Sequence, residues 1–159
     1  MTVKLDPFKI FVDQLREGNT RTIRETIPPD FMEIHEKELE FFKPIEVDGE
    51  AYLADQDLVI KLEAEATAVI PCAICGKPVE VSIQLDPFYH YTPIKEVKGA
   101  IFLFDQILRE AILLDTPQFA ECNNGNCPQR TEIARYLKAD NENNSDEDGY
   151  HPFADIDLK

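Results

Sequence analysis

The stretch LVIKLEAEATAVIPCAICGKPVEVSIQL, residues 58–85, predicts the main structural unit of the chain, a long β-hairpin. Apolar and polar residues alternate through 58–70, and the same period of two returns in 79–85. This alternation is typical of strands that bury one face and expose the other. Between them, PCAICGKP carries a proline at each end. The hydrogen bonding between the two strands must stop there, because proline has no backbone N–H to donate. We therefore expect the two strands to pair, with PCAICGKP at the tip.

The four cysteines of the chain form two pairs, Cys72 and Cys75 at the predicted tip and Cys122 and Cys127 in the segment ECNNGNCP. Cys-x-x-Cys followed by glycine is typical of a structural zinc knuckle, because Gly76 tolerates the positive φ of the turn that directs amides at the thiolates. The second pair is spaced more widely than is usual. If all four meet, they form one tetrathiolate metal site.

Two other interpretations of the cysteines stay open at this point. They could be four unconnected reduced thiols, or Cys72 and Cys75 could form a redox-active dithiol. The dithiol fits the sequence less well, because a thioredoxin-type pair opens a helix after a strand, whereas this pair lies between two predicted strands.

Weaker patterns predict the other elements of the domain. FKIFV, 8–12, and TRTIRETI, 20–27, are rich in β-branched and aromatic residues and predict strands. A short helix is expected to begin at Asp30, with Glu33 three residues later as in a capping box. Residues 100–115 carry apolar side chains at helical spacing and predict the main amphipathic helix.

The C-terminal part of the sequence is more polar. TEIARYLK, 131–138, predicts one or two helical turns, whereas 139–149 is acidic, almost without apolar residues, and is predicted to be a disordered linker. Residues 150–159 form a short docking segment with apolar side chains. The predicted fold is α+β, with a single domain over 1–138 whose antiparallel sheet carries the long hairpin and its Cys-x-x-Cys knuckle, one amphipathic helix packed on the sheet, and an acidic C-terminal tail.

The charge of the chain bears on its partners. The 31 acidic and 16 basic residues give a net charge of −15, and segment 29–66 alone carries twelve acids against three bases. Such a surface repels a phosphate backbone and favours a basic protein partner, although acidity also serves solubility alone. With no signal peptide or apolar membrane span apparent, the sequence predicts a cytoplasmic protein, where reduced thiols and metal sites are more common than disulfides.

Signs of catalysis are absent from the sequence. The three histidines, His35, His90 and His151, are scattered and form no arrangement with a cysteine and a carboxylate. His90, between Tyr89 and Tyr91, is expected to take part in aromatic packing. No glycine-rich phosphate loop occurs. The sequence thus predicts a protein that is not an enzyme and has no catalytic residues.

Four short motifs follow one another along the chain: CAICGKPVEV at 72–81, DQILREAILLDTP at 105–117, ECNNGNCP at 121–128 and HPFADIDLK at 151–159. Their order resembles that of the YceD family of bacterial and plastid proteins. The resemblance covers 72–159, and the N-terminal part matches only in general character. It implies a non-enzymatic role in ribosome biogenesis that supports the accumulation of large-subunit ribosomal RNA. Members of the family vary in their later cysteines, so a zinc site is not implied by the resemblance alone.

The family role and the charge together suggest how such a protein could act. We expect it to bind a basic ribosomal or assembly protein through its acidic surface, with ribosomal RNA involved indirectly. The apolar tail is a second candidate binding element, formed by Pro152, Phe153, Ile156 and Leu158. A small basic patch of Arg130, Arg135 and Lys138 leaves direct RNA contact open. The alternatives are a zinc-stapled interaction adaptor without a ribosomal role and, less favoured, a thiol oxidoreductase.

Overall fold

The computed structural model describes residues 6–142, and for 137–142 it describes the backbone only. The strands in this range are β1 (Lys9–Phe11), β2 (Arg21–Ile27), β3 (Glu40–Phe41), β4 (Ile45–Ala54), β5 (Asp57–Pro71), β6 (Pro78–Pro93) and β7 (Ile101–Leu103). The helices are α1 (Asp105–Asp115), the single turn α2 (Cys122–Gly125) and α3 (Arg130–Glu142). The fold is α+β, as the sequence predicted.

Strand β5 is the centre of a five-stranded antiparallel sheet. Along one edge it pairs first with β4 and then with the two-residue β3, and along the other it pairs with β6 from end to end. Strand β2 extends the sheet beyond β4. Strands β1 and β7 form a separate two-stranded ribbon. Because β5 has partners on both edges, it fixes the position of each other strand in the larger sheet.

The predicted hairpin of β5 and β6 is confirmed. Pairing runs from Asp57 opposite Pro93 to Pro71 opposite Pro78, which leaves 72–77 as the tip. One face of β5 is buried in the core, as its alternation requires. The buried residues of this face are Leu58, Ile60, Leu62, Ala64, Ala66, Ala68 and Ile70.

A β-bulge interrupts the register between the two strands of the hairpin. Leu62 lies opposite Phe88 and Ala64 opposite Leu85, so Asp86 and Pro87 together face a single residue of β5. Proline fits here because a bulge leaves a backbone N–H without a ladder partner. The extra residue also reverses which side chains of β6 face the core, since the side-chain period of a strand is two. DPFYHYTP, 86–93, thus extends the sheet, and the two parts of β6 on either side of the bulge are in opposite phase.

Helix α1 closes the core through one stripe of side chains. Phe104, just before the helix, and Leu108 and Ile112 within it are fully buried and spaced by four residues. Each buried side chain of this size stabilises the fold by about 1.5–3 kcal/mol. Arg109, on the adjacent face, donates its Nε–H to the carbonyl oxygen of Met32 at 2.7 Å, which ties the helix to the chain after β2.

The predicted start of this helix was wrong by five residues. Residues 101–103 form β7, which pairs with β1, and the helix begins at Asp105. Gly99 and Ala100 have φ values of 65° and 56°, in the left-handed region, so a right-handed helix cannot begin at residue 100. Apolar spacing in 100–104 therefore served strand pairing and core packing, which periodicity over so few residues does not distinguish from a helix.

The helix predicted to begin at Asp30 is also wrong. Only a 3₁₀ turn, Pro29–Met32, forms there, and Glu33 ends it with a left-handed φ of 49°. Further along, Phe41 is buried where β3 pairs with β5. Pairing with an open stretch of β5 thus outweighs the helical propensity of this glutamate-rich segment.

The C-terminal helix is longer than predicted. Helix α3 extends to Glu142, so 139–142 are helical, whereas the sequence predicted that a disordered linker begins at 139. The rest of the predicted linker and the docking segment 150–159 lie outside the described residues. No helix within residues 6–142 combines the length and the apolar composition needed to cross a membrane.

Gly49 in β4 offers a direct test of the strand pairing. A Cβ atom built on it would lie 2.1 Å from the carbonyl oxygen of Lys61 on β5. We expect Gly49→Ala to lower the free energy of unfolding by about 1–3 kcal/mol, because the strands must move apart to admit the methyl group. Urea denaturation would measure the loss. The adjacent Glu50→Ala serves as the control and should stay within about 0.5 kcal/mol of the parent; equal effects of the two changes would contradict the register.

Candidate metal centre and acidic sheet face

The first pair of cysteines is held by the tight turn at the hairpin tip. The backbone N–H of Cys72 donates to the carbonyl oxygen of Lys77 at 2.7 Å, and the N–H of Gly76 donates to the carbonyl oxygen of Cys72 at 2.9 Å. Gly76 has a φ of 75°, as the sequence predicted, and a non-glycine residue would be strained there. The turn thereby places both sulfur atoms on the side that faces the second loop.

The second pair of cysteines is brought to the tip by backbone pairing. Residues 72 and 120 form a parallel β-bridge, and the N–H of Ala73 donates to the carbonyl oxygen of Ala120 at 2.8 Å. Helix α1 ends at Asp115, so only a short segment leads from the core to this bridge. The bridge places Cys122 directly beside the hairpin tip.

The four residues between Cys122 and Cys127 form a turn that explains their wide spacing. Asn123, Asn124 and Gly125 all have positive φ, at 56°, 53° and 85°. Asparagine and glycine are the residues that tolerate this conformation best. The left-handed turn curls the chain back, so that two cysteines five positions apart meet at one point.

The four sulfur atoms converge, as the metal prediction requires. All four Sγ atoms lie within 4.8 Å of one another, and Sγ of Cys75 and Sγ of Cys122 are 3.6 Å apart. A tetrahedral zinc site with Zn–S bonds of about 2.3 Å has sulfur atoms about 3.8 Å apart. Cys72 and Cys127 are buried, while Cys75 and Cys122 are half-buried. The arrangement therefore fits a metal ion held by four thiolates.

Backbone amides prepare Cys72 for this role. The N–H groups of Cys122 and Ile74 point at its sulfur atom, at 3.3 Å and 3.5 Å. Hydrogen bonds from backbone amides, first from Cys75 and then from Cys122, lower the pKa of Cys72 to about 6. Its thiol is therefore ionised at neutral pH, which is the form that binds metal.

The second pair has the opposite tendency while no cation is bound. Hydrogen bonding with the Cys127 thiol, followed by burial, raises the pKa of Cys122 to about 12, and burial raises the pKa of Cys127. Crowded thiols cannot all ionise unless a positive charge compensates them. Metal binding must therefore displace protons from Cys122 and Cys127, so the affinity for metal increases with pH.

Glu121 supports the second loop from the position next to Cys122. Its Oε1 atom accepts the backbone N–H of Cys127 at 2.9 Å, and both carboxylate oxygens accept hydrogen bonds from Arg130, at 2.9 Å and 2.6 Å. The Arg130 guanidinium, more than the Cys127 amide, lowers the pKa of Glu121 to about 2. The sequence prediction missed this residue, although a glutamate beside one cysteine and an arginine three residues after the next was a usable signal.

The ion pair also changes the interpretation of the predicted basic patch. Arg130 binds Glu121 through two hydrogen bonds, so its charge is already compensated. Arg135 is exposed on α3, and the side chain of Lys138 lies outside the described residues. The tail residues Pro152, Phe153, Ile156 and Leu158 lie outside them as well. The case for a basic RNA-binding patch is therefore weaker than the sequence suggested.

His90 is part of aromatic packing, with a different partner from its neighbours in sequence. Its ring stacks on Phe102, with centroids 5.9 Å apart, and its Nε2 lies 2.9 Å from the Thr92 hydroxyl. Tyr89 and Tyr91 lie on the opposite face of β6, because adjacent residues of a strand alternate. His90 thus supports the contact between the sheet and the β1–β7 ribbon.

A second feature lies on the solvent-facing side of the sheet, where carboxylates oppose one another across two strands. Glu46 of β4 is the pairing partner of Glu65 of β5, and Asp48 is the partner of Glu63. We call these four residues the acidic face. Like charges directly opposite in a sheet are destabilising. Among the described residues, an ion pair reaches one member, Asp48, whose Oδ1 lies 3.3 Å from the exposed Nε of Arg24.

Glu121 provides a test of the metal centre that leaves every sulfur in place. We expect Glu121→Gln to weaken metal binding about 10- to 100-fold, because loss of the charge releases Arg130 and loosens the loop that carries Cys122 and Cys127. Competition between the protein and a chromogenic chelator for Co²⁺ would measure the affinity. Glu132→Gln, an exposed glutamate on α3, is the matched control. Equal affinities of both variants and the parent would show that Glu121 does not support the site.

Comparison with models of known protein families, with curated proteins and with solved structures finds no match for this chain. The resemblance to the YceD family accordingly stays a prediction based on four short motifs.

Proposed function

We propose that the protein is a non-enzymatic binding factor whose acidic face binds a basic protein, and that one structural zinc ion stabilises its fold. The observation that carries the binding role is the two pairs of opposed carboxylates in the sheet, Glu46 with Glu65 and Asp48 with Glu63. The zinc role rests on the convergence of the four cysteine sulfurs.

The opposed carboxylates favour a binding role because they oppose folding. Cross-strand pairs contribute roughly 0.2–1 kcal/mol each, and this contribution is unfavourable when both charges are negative. Glu46, Glu63 and Glu65 are exposed, so they support no buried network that would need them. A partner that brings lysine or arginine to the face would relieve the repulsion, and the released energy would add to its affinity.

The resemblance to the YceD family supports a ribosomal identity for the basic partner. Ribosomal proteins and their assembly factors are rich in lysine and arginine, and a protein that supports accumulation of large-subunit ribosomal RNA could act by holding one of them. The net charge of −15 argues against direct contact with a phosphate backbone. Action in the cytoplasm is part of the same proposal.

Zinc is the metal that suits the centre best. Four thiolates in a tetrahedron are typical of structural zinc sites, in which no coordination position is left for a substrate. The site connects the tip of the β5–β6 hairpin to the loop after α1, two segments that are also joined by the hydrogen bonds from Ala73 to Ala120 and from Cys122 to Cys72. Its role is to fix the tip of the hairpin relative to the helix.

One observation favours a redox function as a second candidate, namely the pKa of Cys72, lowered to about 6. Reactive dithiols have thiolates of this kind. The amides that lower the pKa are also those that stabilise a zinc knuckle, and the pair lies at a hairpin tip instead of a helix start. An insulin-reduction assay that shows activity dependent on Cys72 would favour the oxidoreductase.

The zinc proposal predicts about one zinc per chain in protein purified under reducing conditions. Cys75→Ser should lower the zinc content and the melting temperature, because three thiolates hold the ion less well and the hairpin tip is released. Elemental analysis and thermal denaturation with and without chelator would measure both. Ser82→Ala, on the exposed side of β6, is the control. Protein that contains less than a tenth of one zinc, with a melting temperature indifferent to chelator, would rule the metal out.

The binding proposal predicts that the protein captures a basic protein from cell lysate at moderate salt. The double change Glu63→Gln and Glu65→Gln should reduce the captured amount severalfold without lowering the free energy of unfolding, since it relieves repulsion. A matched double change away from the face, Glu110→Gln with Glu132→Gln, should leave capture unchanged. Recovery of bare ribosomal RNA without a protein would contradict the proposal.

Depletion of the protein in cells would separate the ribosomal role from that of a general adaptor. Loss of mature large-subunit RNA with accumulation of its precursors supports the ribosomal role. Unchanged RNA levels would favour a zinc-stapled adaptor that binds unrelated proteins.

A further inference from the structure

Two exposed aromatic rings lie on the same side of the sheet as the acidic face. Tyr89 and Tyr91 of β6 are 51% and 62% exposed, and their rings stack on each other with centroids 6.4 Å apart and planes 22° apart. The bulge at Asp86 and Pro87 is what turns them outward, because it reverses the phase of β6. The two nearly parallel rings therefore present exposed aromatic surface on this side of the sheet.

The register of the sheet sets the distance from these rings to the carboxylates. Tyr89 lies opposite Lys61 on β5, and Glu63 and Glu65 follow two and four residues later on the same face of that strand. Because a strand rises about 3.4 Å per residue, the two carboxylate rows lie about 7 Å and about 14 Å along β5 from the row of Tyr89. An extended peptide has the same period, so its alternate side chains match the three rows.

The surface beside the carboxylates is concave. An open groove of about 600 Å³ runs along it, lined by all four members of the acidic face and, at its edge, by Lys43 and Asp86. The Nζ atom of Lys43 lies 3.0 Å from Oε2 of Glu80, so the charge of this lysine is compensated. Lys61 of β5 lies between two partners, Tyr89 on β6 and Glu50 on β4. The groove therefore keeps a negative balance along its length.

We propose that this side of the sheet recognises arginine in an extended segment of the basic partner. One guanidinium stacks on Tyr89 and Tyr91, and basic side chains two and four positions away pair with the carboxylate rows. The inference rests on the proposed binding function and specifies the chemistry of the partner. Charge complementarity selects a basic peptide as the occupant, since five carboxylates line the groove and both adjacent lysines face acidic partners.

The aromatic pair is what selects arginine over lysine. A planar guanidinium stacks on an aromatic ring and still donates hydrogen bonds from its edge, whereas an ammonium group is compact and more strongly hydrated. Nucleic-acid bases also stack on tyrosine. If a base stacked on these rings, however, the phosphate of the adjacent nucleotide would lie near the carboxylates of Asp48 and Glu63, which would repel it.

Fluorescence anisotropy with two labelled peptides tests this inference. One peptide alternates arginine with serine over eight residues, and the other has lysine in place of each arginine. We expect the full-length protein to bind the arginine peptide about 2- to 5-fold more tightly, which is the range that a cation–π contact at an exposed ring supplies. Changing Tyr89 and Tyr91 together to Ala should abolish the preference, whereas changing both to Phe should retain it. Thermal denaturation of each variant verifies that it is folded.

Each other outcome overturns a defined part of the proposal. Arginine recognition would be refuted if both peptides bind equally and the tyrosine variants bind them like the parent. If the double change Glu63→Gln and Glu65→Gln also weakens binding of both peptides, the acidic binding function stays intact. Absence of binding to either peptide would refute both. Tighter binding of a single-stranded oligouridylate than of the arginine peptide, lost in the alanine variant, would assign the aromatic pair to RNA instead.

Discussion

The pairing of β5 along both of its edges is the constraint on which the rest of the structure depends. Strand β6 follows it from Asp57 to Pro71, while β4 and β3 share its other edge. Its core face is apolar without interruption from Leu58 to Ile70, so a shift of one residue would expose that face to water. The register is therefore fixed strongly, and both the cysteine turn at one end of the hairpin and the tyrosines near the other take their positions from it.

The metal centre and the acidic face use this framework in different ways. The centre joins parts of the chain that the sheet alone does not connect, since the loop after α1 reaches the hairpin tip through the bridge of Cys72 with Ala120. Thiolates crowded this closely need a compensating cation, so the cluster is compatible with a metal site. The acidic face, by contrast, adds repulsion to a sheet already well formed. A framework with so many paired strands can tolerate that repulsion.

Local patterns predicted those parts of the fold in which neighbouring residues decide the structure. The alternation in 58–70 gave the buried face of β5, and Pro71 with Pro78 marked where pairing stops. The helix predicted from Asp30 failed because burial of Phe41 beside β5 outweighs a weak helical propensity. Residues 100–104 were misassigned for a similar reason, since their pairing partner, β1, lies some ninety positions earlier in the chain. The sequence did not predict the role of Glu121, because that role depends on hydrogen bonds from Cys127 and Arg130 that form only when the loop has folded.

By itself the sequence determined the long hairpin, the apolar face of its first strand, the turn at Gly76 and the choice of thiols as candidate ligands, because each depends on residues close together in the chain. Only the tertiary structure decided that the two cysteine pairs meet, since their approach depends on α1 packing and on the bridge at Ala120. It also decided which side of the sheet carries Tyr89 and Tyr91. A single extra residue in the bulge turns them toward the side of the carboxylates, and side-chain alternation within β6 alone does not reveal it.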